Sequence, residues 1–189
     1  YNSNYRFPPP PKKPTMTAVP GDGKVTLYWD RVAEESLDPV TKEKDFQGYK
    51  IYRATDPNFN DVRNITDANG LIQGYSTLAQ FDKKDEIKGY FYPSKSLFQD
   101  TKGYSYYLGD DSGLIHSYVD NDVQNGRTYY YALVAYDHGD EEKDIFPSEN
   151  SKFISVLPTG EIITDQNTAY ITPTSSAAGY SLNDTIKTK

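Results

Sequence analysis

The 189-residue chain contains no cysteine, which excludes disulfides, thiol catalysis and cysteine-ligated zinc. It has no apolar run close to the roughly 20 residues that a membrane-spanning helix needs. It has no Gly-rich phosphate loop either, because Gly21-Asp22-Gly23 stands between two strand patterns and not before a helix. The net charge of -7 argues against a nucleic-acid binder, which would be basic in order to neutralise phosphates.

The sequence is also poor in candidate catalytic groups. Its two histidines, His116 and His138, fall in a predicted strand and in an acidic loop, and neither stands in a Ser-His-Asp or metal-ligand spacing. Carboxylates are plentiful, but no pair is singled out for glycoside hydrolysis. We therefore predict no catalytic or cofactor-binding residues and a protein that is not an enzyme. An enzyme would need a cleft with paired carboxylates, or His116 beside an acid.

Tyrosine is what the sequence has in abundance, with 18 Tyr and 8 Phe but a single Trp. A tyrosine ring buries a large apolar area while its hydroxyl stays hydrogen-bonded or in water. This composition suits thin β-sandwiches and adhesive surfaces.

The longest aromatic run lies in residues 125–137, which read N-G-R-T-Y-Y-Y-A-L-V-A-Y-D. The Asn-Gly pair predicts a turn, and the aromatic and β-branched residues after it predict a strand whose alternate residues lie on opposite faces. Because both faces are largely apolar, we predict a central strand, covered on one side by a second sheet and partly covered on the other. One face would carry Tyr129, Tyr131, Leu133 and Ala135, and the other Tyr130, Ala132, Val134 and Tyr136.

Residues 15–30 and 46–53 predict three earlier strands. In the first segment Met16 and Ala18 alternate before a P-G-D-G turn, and Val25, Leu27 and Trp29 alternate after it. Trp29 is in phase with apolar neighbours, so we predict a core role for it. The second segment, F-Q-G-Y-K-I-Y-R, places Tyr49 and Ile51 on one face and Lys50 and Tyr52 on the other. Residues 114–119 predict a later strand, and residues 152–157 predict the last strand of the sandwich, with Ile154 and Val156 inward.

Three of these stretches together resemble a fibronectin type III domain. They read P-T-M-T-A-V-P-G-D-G-K-V-T-L-Y-W-D, then G-Y-K-I-Y-R, then S-Y-V-D-N-D-V-Q-N-G-R-T-Y-Y-Y-A-L-V-A-Y-D. The resemblance covers residues 14–56 and 114–158 and implies an all-β, immunoglobulin-like β-sandwich. It also implies that Trp29 is the central core tryptophan and that Tyr129 is the tyrosine-corner residue, whose hydroxyl bonds to nearby backbone.

The sequence departs from this pattern at about residues 54–113. We expect either an insertion or an extra strand with a long loop, forming one or two short hairpins that fold over one sheet. Its aromatic residues have two readings: an apolar cover that holds the insertion down, or a sugar-binding surface. The residues concerned are Tyr90, Phe91, Tyr92, Tyr104, Tyr106 and Tyr107, and the other apolar pieces are Leu71-Ile72, Phe81 and Leu97-Phe98.

The two ends are expected to lie outside the sandwich, which we assign to residues 15–158. Residues 1–14 contain four consecutive prolines and predict an extended linker or arm, either a stiff spacer or a docking segment; Tyr1, Tyr5 and Phe7 suggest contact with a neighbouring subunit. Residues 159–189 form a β-prone C-terminal extension. Its N-T-A-Y-I-T-P and A-G-Y stretches resemble modules of large secreted surface proteins of Bacteroidota and Chlorobi-type bacteria, which implies an extracellular or cell-surface location.

Residues 56–61, D-P-N-F-N-D, are the best candidate for a metal site. Asp56, Asn58 and Asn60 at alternate positions resemble the start of a calcium loop, although Asp61 replaces the expected Gly and Asp67 the bidentate Glu. The same residue types favour simple Asx turns, so calcium stays open and no metal ligand is assigned. Weaker signals are the acidic turns 110–112 and 120–122, the N-glycosylation patterns at Asn64 and Asn183, and the O-glycan pattern at Asp184-Thr185-Ile186.

These observations predict a non-catalytic structural or adhesive module of a secreted or cell-surface protein. It would act through contacts with neighbouring domains or identical subunits and assemble into a fibre by adding a strand to an open sheet edge. The alternative is a carbohydrate-binding module, which would present a solvent-facing planar row of tyrosines in the insertion.

Overall fold

The computed structural model describes residues 8–39, 42–92 and 105–176. Regular structure in these ranges is almost entirely β, which confirms the predicted all-β class. The strands are β1 (Met16–Gly21), β2 (Lys24–Trp29), β3 (Phe46–Ala54), β4 (Ile65–Thr66), β5 (Ile72–Gly74), β6 (Ala79–Asp82), β7 (Gly89–Tyr90), β8 (Tyr107–Gly109), β9 (Ser117–Asp120), β10 (Tyr129–Asp137), β11 (Ile154–Val156), β12 (Ile162–Thr164) and β13 (Thr168–Ile171). The expectations for Tyr1, Tyr5, Phe7, Leu97-Phe98, Tyr104, Asn183 and the Asp184 motif lie outside the described residues.

Two antiparallel sheets form the body of the molecule. The smaller has the strand order β1-β2-β9, and the larger has the order β13-β10-β3-β6. Residues from both sheets share one buried core, in which Val25, Leu27 and Trp29 of β2 meet Tyr49 and Ile51 of β3. Trp29 is therefore a core residue, as predicted from its phase, and its ring contacts the rings of Tyr49 and Phe81.

Strand β10 is the central strand that the sequence predicts. It pairs with β13 on one side and β3 on the other. Its two faces divide as the alternation requires, because Tyr129, Tyr131, Leu133 and Ala135 join the core between the sheets. Ala132 and Val134 pack in a second cluster on the outer face, and Tyr136 in a third.

The insertion covers this outer face of the larger sheet. It contributes β6 to the sheet and two short strand pairs, β4 with β5 and β7 with β8. The structure thus has the extra-strand form of the expectation. Phe91, Tyr106 and Leu108 pack on Tyr136 and are buried, because an irregular segment needs apolar burial to offset the entropy lost on ordering.

Residues 152–157 contain a strand, as predicted, but its predicted place as the last strand of the sandwich was wrong. Strand β11 pairs with β12, away from both main sheets, and β13 supplies the last strand of the larger sheet. Ile154 is buried as expected, but Val156 is exposed. The side chain of Asn167 fixes this arrangement, since it is fully buried and its Nδ2 donates to the carbonyls of Leu133 (2.8 Å) and Ser151 (3.1 Å).

The proline-rich segment lies against the body of the molecule from Pro8 onward. Pro11 and Pro14 are buried, and the Pro11 carbonyl accepts a hydrogen bond of 2.5 Å from Asn150 Nδ2. Lys12 N donates to Ser36 Oγ (2.7 Å), and the Lys13 ammonium pairs with Asp165. Within the described ranges, no helix is long and apolar enough to span a membrane.

Candidate functional site

A cleft of about 460 Å³ opens on the outer face of the larger sheet, between β3 and the insertion. Five tyrosines line it, together with a small set of polar groups, a composition typical of ligand pockets. The tyrosines are Tyr52, Tyr75, Tyr90, Tyr106 and Tyr107, and the polar groups are Lys50, Gln73, Gln80, Ser105 and Glu149.

Strand alternation and two loops place these side chains. Lys50 and Tyr52 point outward from β3 because Tyr49 and Ile51 fill the core. Tyr106 directly precedes β8, where the β7–β8 pair folds over the sheet. Glu149 comes from the acidic loop after β10, which returns to the sheet and forms an isolated bridge with Tyr136.

Lys50 forms the floor of the cleft. Its side chain is only 7% exposed, and Nζ lies 3.5 Å from the centroid of the Tyr106 ring and 4.8 Å from that of Tyr136. The Glu149 carboxylate is 3.8 Å from Nζ, an ion-pair distance too long for a hydrogen bond. Within the described ranges the Lys50 ammonium makes no hydrogen bond. Burial lowers the pKa of Lys50 to about 8, against the opposing effect of Glu149.

Lys152 is a second enclosed ammonium beside the first. Its Nζ lies 3.6 Å from the ring centroid of Tyr75 and 4.6 Å from that of Tyr52. It is 4.0 Å from Glu149, and its side chain is 12% exposed. Burial also lowers the pKa of Lys152. Both cations therefore rest on tyrosine faces, which attract them through the ring quadrupole.

Glu149 is shared among four neighbours. It accepts hydrogen bonds from the hydroxyls of Tyr106 (2.8 Å) and Tyr52 (3.2 Å), and it faces both ammonium groups. Burial raises the pKa of Tyr106 well above its usual range, so this hydroxyl stays protonated and donates. One carboxylate thus faces two cations, so the group formed by Lys50, Lys152 and Glu149 carries one net positive charge in a protein of net charge -7.

Of the aromatic residues predicted in the insertion, some form an apolar cover and others are exposed, as a sugar-binding surface would require. Phe91 and Tyr106 are buried and act as the cover, whereas Tyr90 and Tyr92 are 53% and 71% exposed. The rings of Tyr90 and Tyr107 meet at 57°, so these two do not form a flat platform.

In the candidate calcium loop, backbone N–H groups of the loop itself bind the Asp56 carboxylate. The Asp56 carboxylate accepts hydrogen bonds from the N–H groups of Asn58, Asn60 and Asp61. Asp67 caps a different turn, between β4 and β5, where it accepts from Asn69 N and Leu71 N. The described residues include no group of three or more acidic or histidine side chains that could hold a metal ion.

Of the two histidines, His116 does lie beside an acid. It precedes β9 and is not part of a strand, and its Nε2 is 2.5 Å from Glu34 Oε1. The Tyr49 hydroxyl donates to the same carboxylate oxygen (3.1 Å), and the His116 ring packs against the rings of Trp29 and Tyr49. This cluster packs on core rings, and neither His116 nor Glu34 lines the cleft. His138 Nδ1 bonds the backbone carbonyl of Gly139 (2.6 Å).

The acidic turns serve as ion-pair partners within the fold. Asp120 and Asp122 hold the Arg53 guanidinium at 3.0 and 2.9 Å, which ties the smaller sheet to the larger one. Asp111 pairs with Lys88 at 2.7 Å. The sequon residue Asn64 is exposed, and its glycosylation stays a prediction.

Sequence reasoning did not single out Lys50, Glu149 or Lys152. The available signal was a lysine in mid-strand, on the outer face of β3, among apolar and aromatic residues. The partners were not visible, because Glu149 and Lys152 come from a loop far along the chain.

The chain matches no protein-family model, and neither curated proteins nor solved structures give a significant match. Its function is therefore inferred from the structure.

Proposed function

We propose that the two sheets form a sandwich of the fibronectin type III kind. In seven-stranded immunoglobulin-like sandwiches one sheet contains the first, second and fifth strands, with the fourth at its edge, and the other contains the third, sixth and seventh. The groups β1-β2-β9 and β13-β10-β3 support this assignment. The tyrosine corner supports it as well, since the Tyr129 hydroxyl at the start of β10 accepts a 2.9 Å hydrogen bond from Gln124 N.

The function that this geometry supports best is that of a non-catalytic structural module in a secreted or cell-surface protein. The observation that carries the proposal is that the chain enters the sandwich at one end and leaves it at the other. A module of this form holds its neighbours in series at a fixed spacing.

The entry segment lies at the end of the sandwich where β10 finishes and β3 begins. Pro8 lies beside Asp45 and His138, and the segment that follows is held by Ser36, Asn150 and Asp165. Proline fixes the backbone φ angle, and these contacts fix its direction. The arm is thus stiff and also attached.

The exit segment lies at the opposite end, where β10 begins. Ile171 pairs with Tyr129, and the Pro173 carbonyl accepts a hydrogen bond from Gly126 N (2.8 Å). Ser176 N then donates to Asp22 in the β1–β2 turn (3.2 Å). Both connections are therefore anchored to the body, which limits bending between this module and its neighbours.

Assembly of identical copies is the second part of the proposal. Strands β13 and β6 are the outer strands of the larger sheet, and an added segment can pair with an open edge. Light scattering and negative-stain microscopy on the full chain and on residues 8–176 test this. Oligomers or fibres that disappear on trimming support a structural role through contacts between copies. A monodisperse monomer in both forms contradicts assembly and leaves the in-series role to be tested by itself.

A further inference from the structure

The cleft around Lys50 has features that a spacer module does not need. A buried ammonium is costly unless it is paired and hydrogen-bonded, and the Lys50 ammonium makes no hydrogen bond with the described residues. Its contacts are the shared Glu149 carboxylate at 3.8 Å and the ring faces of Tyr106 and Tyr136. A methionine of similar length would fill the same space without that cost. A bound anion would supply the hydrogen bonds that the Lys50 ammonium lacks.

We propose that this cleft binds an acidic sugar, a pyranose carrying one carboxylate or sulfate ester, with the anion on Lys50. This site is independent of the structural role proposed above. Two ammonium groups against one carboxylate leave one positive charge unmatched, which suits a monoanion. Lys50 lines the cleft, and its N–H groups, which make no hydrogen bond with the described residues, are donors of the kind that an anionic oxygen requires.

The remainder of the cleft fits a sugar ring. Tyr90 is half exposed at its mouth and offers an apolar ring surface for the C–H groups of a pyranose. The Nε2 groups of Gln73 and Gln80 already donate, to Asp67 (2.9 Å) and to the Tyr136 hydroxyl (2.7 Å), so these two residues offer their amide oxygens as acceptors for sugar hydroxyls. The volume of about 460 Å³ lies within the range of small-ligand pockets.

The protonation of Lys50 gives the site a pH dependence. The groups that face it are Glu149, Lys152 and the rings of Tyr106 and Tyr136. Because burial lowers the pKa of Lys50 to about 8, the ammonium is charged at pH 6.5 and mostly neutral at pH 9.5. Anion binding should therefore weaken as the pH rises through this interval.

Titration calorimetry on the full chain at low salt tests the site with three trisaccharides: galacturonate, O-sulfated galactose and neutral galactose. We expect at least one acidic trisaccharide to bind ten-fold or more tightly than the neutral one at pH 6.5, and less tightly at pH 9.5. Binding of only the galacturonate identifies a carboxylate, and equal binding of both acidic sugars identifies recognition by charge. Either result supports the site. Equal affinity for the neutral sugar, or no binding at millimolar concentration, overturns it.

Two substitutions with opposite effects sharpen this test. Lys50→Met should weaken acidic-sugar binding ten-fold or more, whereas Glu149→Gln removes the competing carboxylate and should leave binding equal or stronger. Lys44→Met is the matched control, because Lys44 is an exposed lysine with the same charge change and is paired with Glu35.

Thermal unfolding shows whether each variant is folded. If Lys50→Met is not folded, the binding of Glu149→Gln and the pH series decide. Unchanged binding in folded Lys50→Met, or lost binding in folded Glu149→Gln, contradicts the site.

Discussion

At the scale of single residues, tyrosine hydroxyls connect the strands to neighbouring loops and strands. Tyr129 accepts from Gln124 N, Tyr131 donates to Asp120 (2.7 Å), and Tyr136 donates to the Leu108 carbonyl. Each ring fills the core or its outer cover while its hydroxyl satisfies a polar group beside it. This dual role explains how a chain with 18 tyrosines builds a core from them.

The Tyr129 corner gives a direct test at this scale. Tyr129→Phe keeps the buried ring but leaves Gln124 N without its acceptor, so we expect a loss of about 1 kcal/mol in the free energy of unfolding. Urea denaturation measures it. Tyr130→Phe is the control, since its hydroxyl makes no hydrogen bond with the described residues, and it should change stability by a few tenths of a kcal/mol. Equal effects of the two substitutions would contradict the corner.

Asp137 makes stability depend on pH. Burial is the main cause that raises its pKa from 3.8 to about 6, against hydrogen bonds from Ser148 and Gly139. Since the folded state holds the proton more tightly, its contribution to stability is complete below about pH 4 and is lost as the pH rises through 6. Between pH 4 and pH 7, wild type should lose more stability than Asp137→Asn, by about 1–3 kcal/mol.

Urea titrations at several pH values check this difference. Asp137→Asn can still accept from the backbone N–H groups of Gly139 and Ser148 through its amide oxygen. Glu142→Gln, an exposed change in the same loop, is the control and should follow wild type. Parallel pH profiles for wild type and Asp137→Asn would refute the assignment.

At the scale of elements, local patterns predicted the strands but not all of their partners. The alternation in β2, β3 and β10 placed the core residues correctly, because one face of each strand must be apolar to pack on the opposite sheet. The same rule cannot tell which of two short β-prone segments joins a sheet. Residues 154–156 and 168–171 both carry such a pattern, and it is residues 168–171 that join the larger sheet, next to the buried Asn167 and its hydrogen bond to Leu133 of β10.

The cleft could not be predicted from local sequence patterns either, because its residues come from segments far apart in the chain. Lys50 was placed on the correct face of β3, but a charged residue there predicts an exposed edge as readily as a buried site. Its environment depends on Tyr106 and Glu149, which a long insertion and a loop bring over the sheet. Contacts between segments so far apart in sequence leave no periodicity to detect.

Truncation tests the role of β13. A chain ending at residue 158, where the sequence resemblance stops, lacks β12, β13 and the hydrogen bonds of Asn167 to Leu133 and Ser151. It should lose cooperative thermal unfolding, as followed by circular dichroism, because the central strand β10 loses one neighbour. A chain ending at residue 176 keeps all of these elements and should unfold cooperatively. A sharp transition in the shorter chain would mean that β13 is dispensable.

At the scale of the whole molecule, the arrangement is a sandwich with anchored connections at opposite ends and a tyrosine-lined cleft on its outer side. The ends are set by topology, since the segment before β1 lies where β10 finishes and the segment after β13 lies where β10 begins. The nine residues of β10 separate them by about 30 Å at roughly 3.3 Å per residue. This separation is what a module that spaces its neighbours requires.

The distance between the two connections in solution is the most direct test of the proposal that the module joins its neighbours in series. Because the chain has no cysteine, Pro9→Cys with Ser175→Cys provides a single pair of spin-label sites for pulsed EPR, both at exposed positions. Pro9→Cys with Glu43→Cys is the control for two positions at the same end. We expect a narrow distribution of label-to-label distances at about 30 Å or more for the first pair, and a clearly shorter distance for the control. A first-pair distance below about 20 Å, or one as short as the control, would contradict a module that joins its neighbours in series.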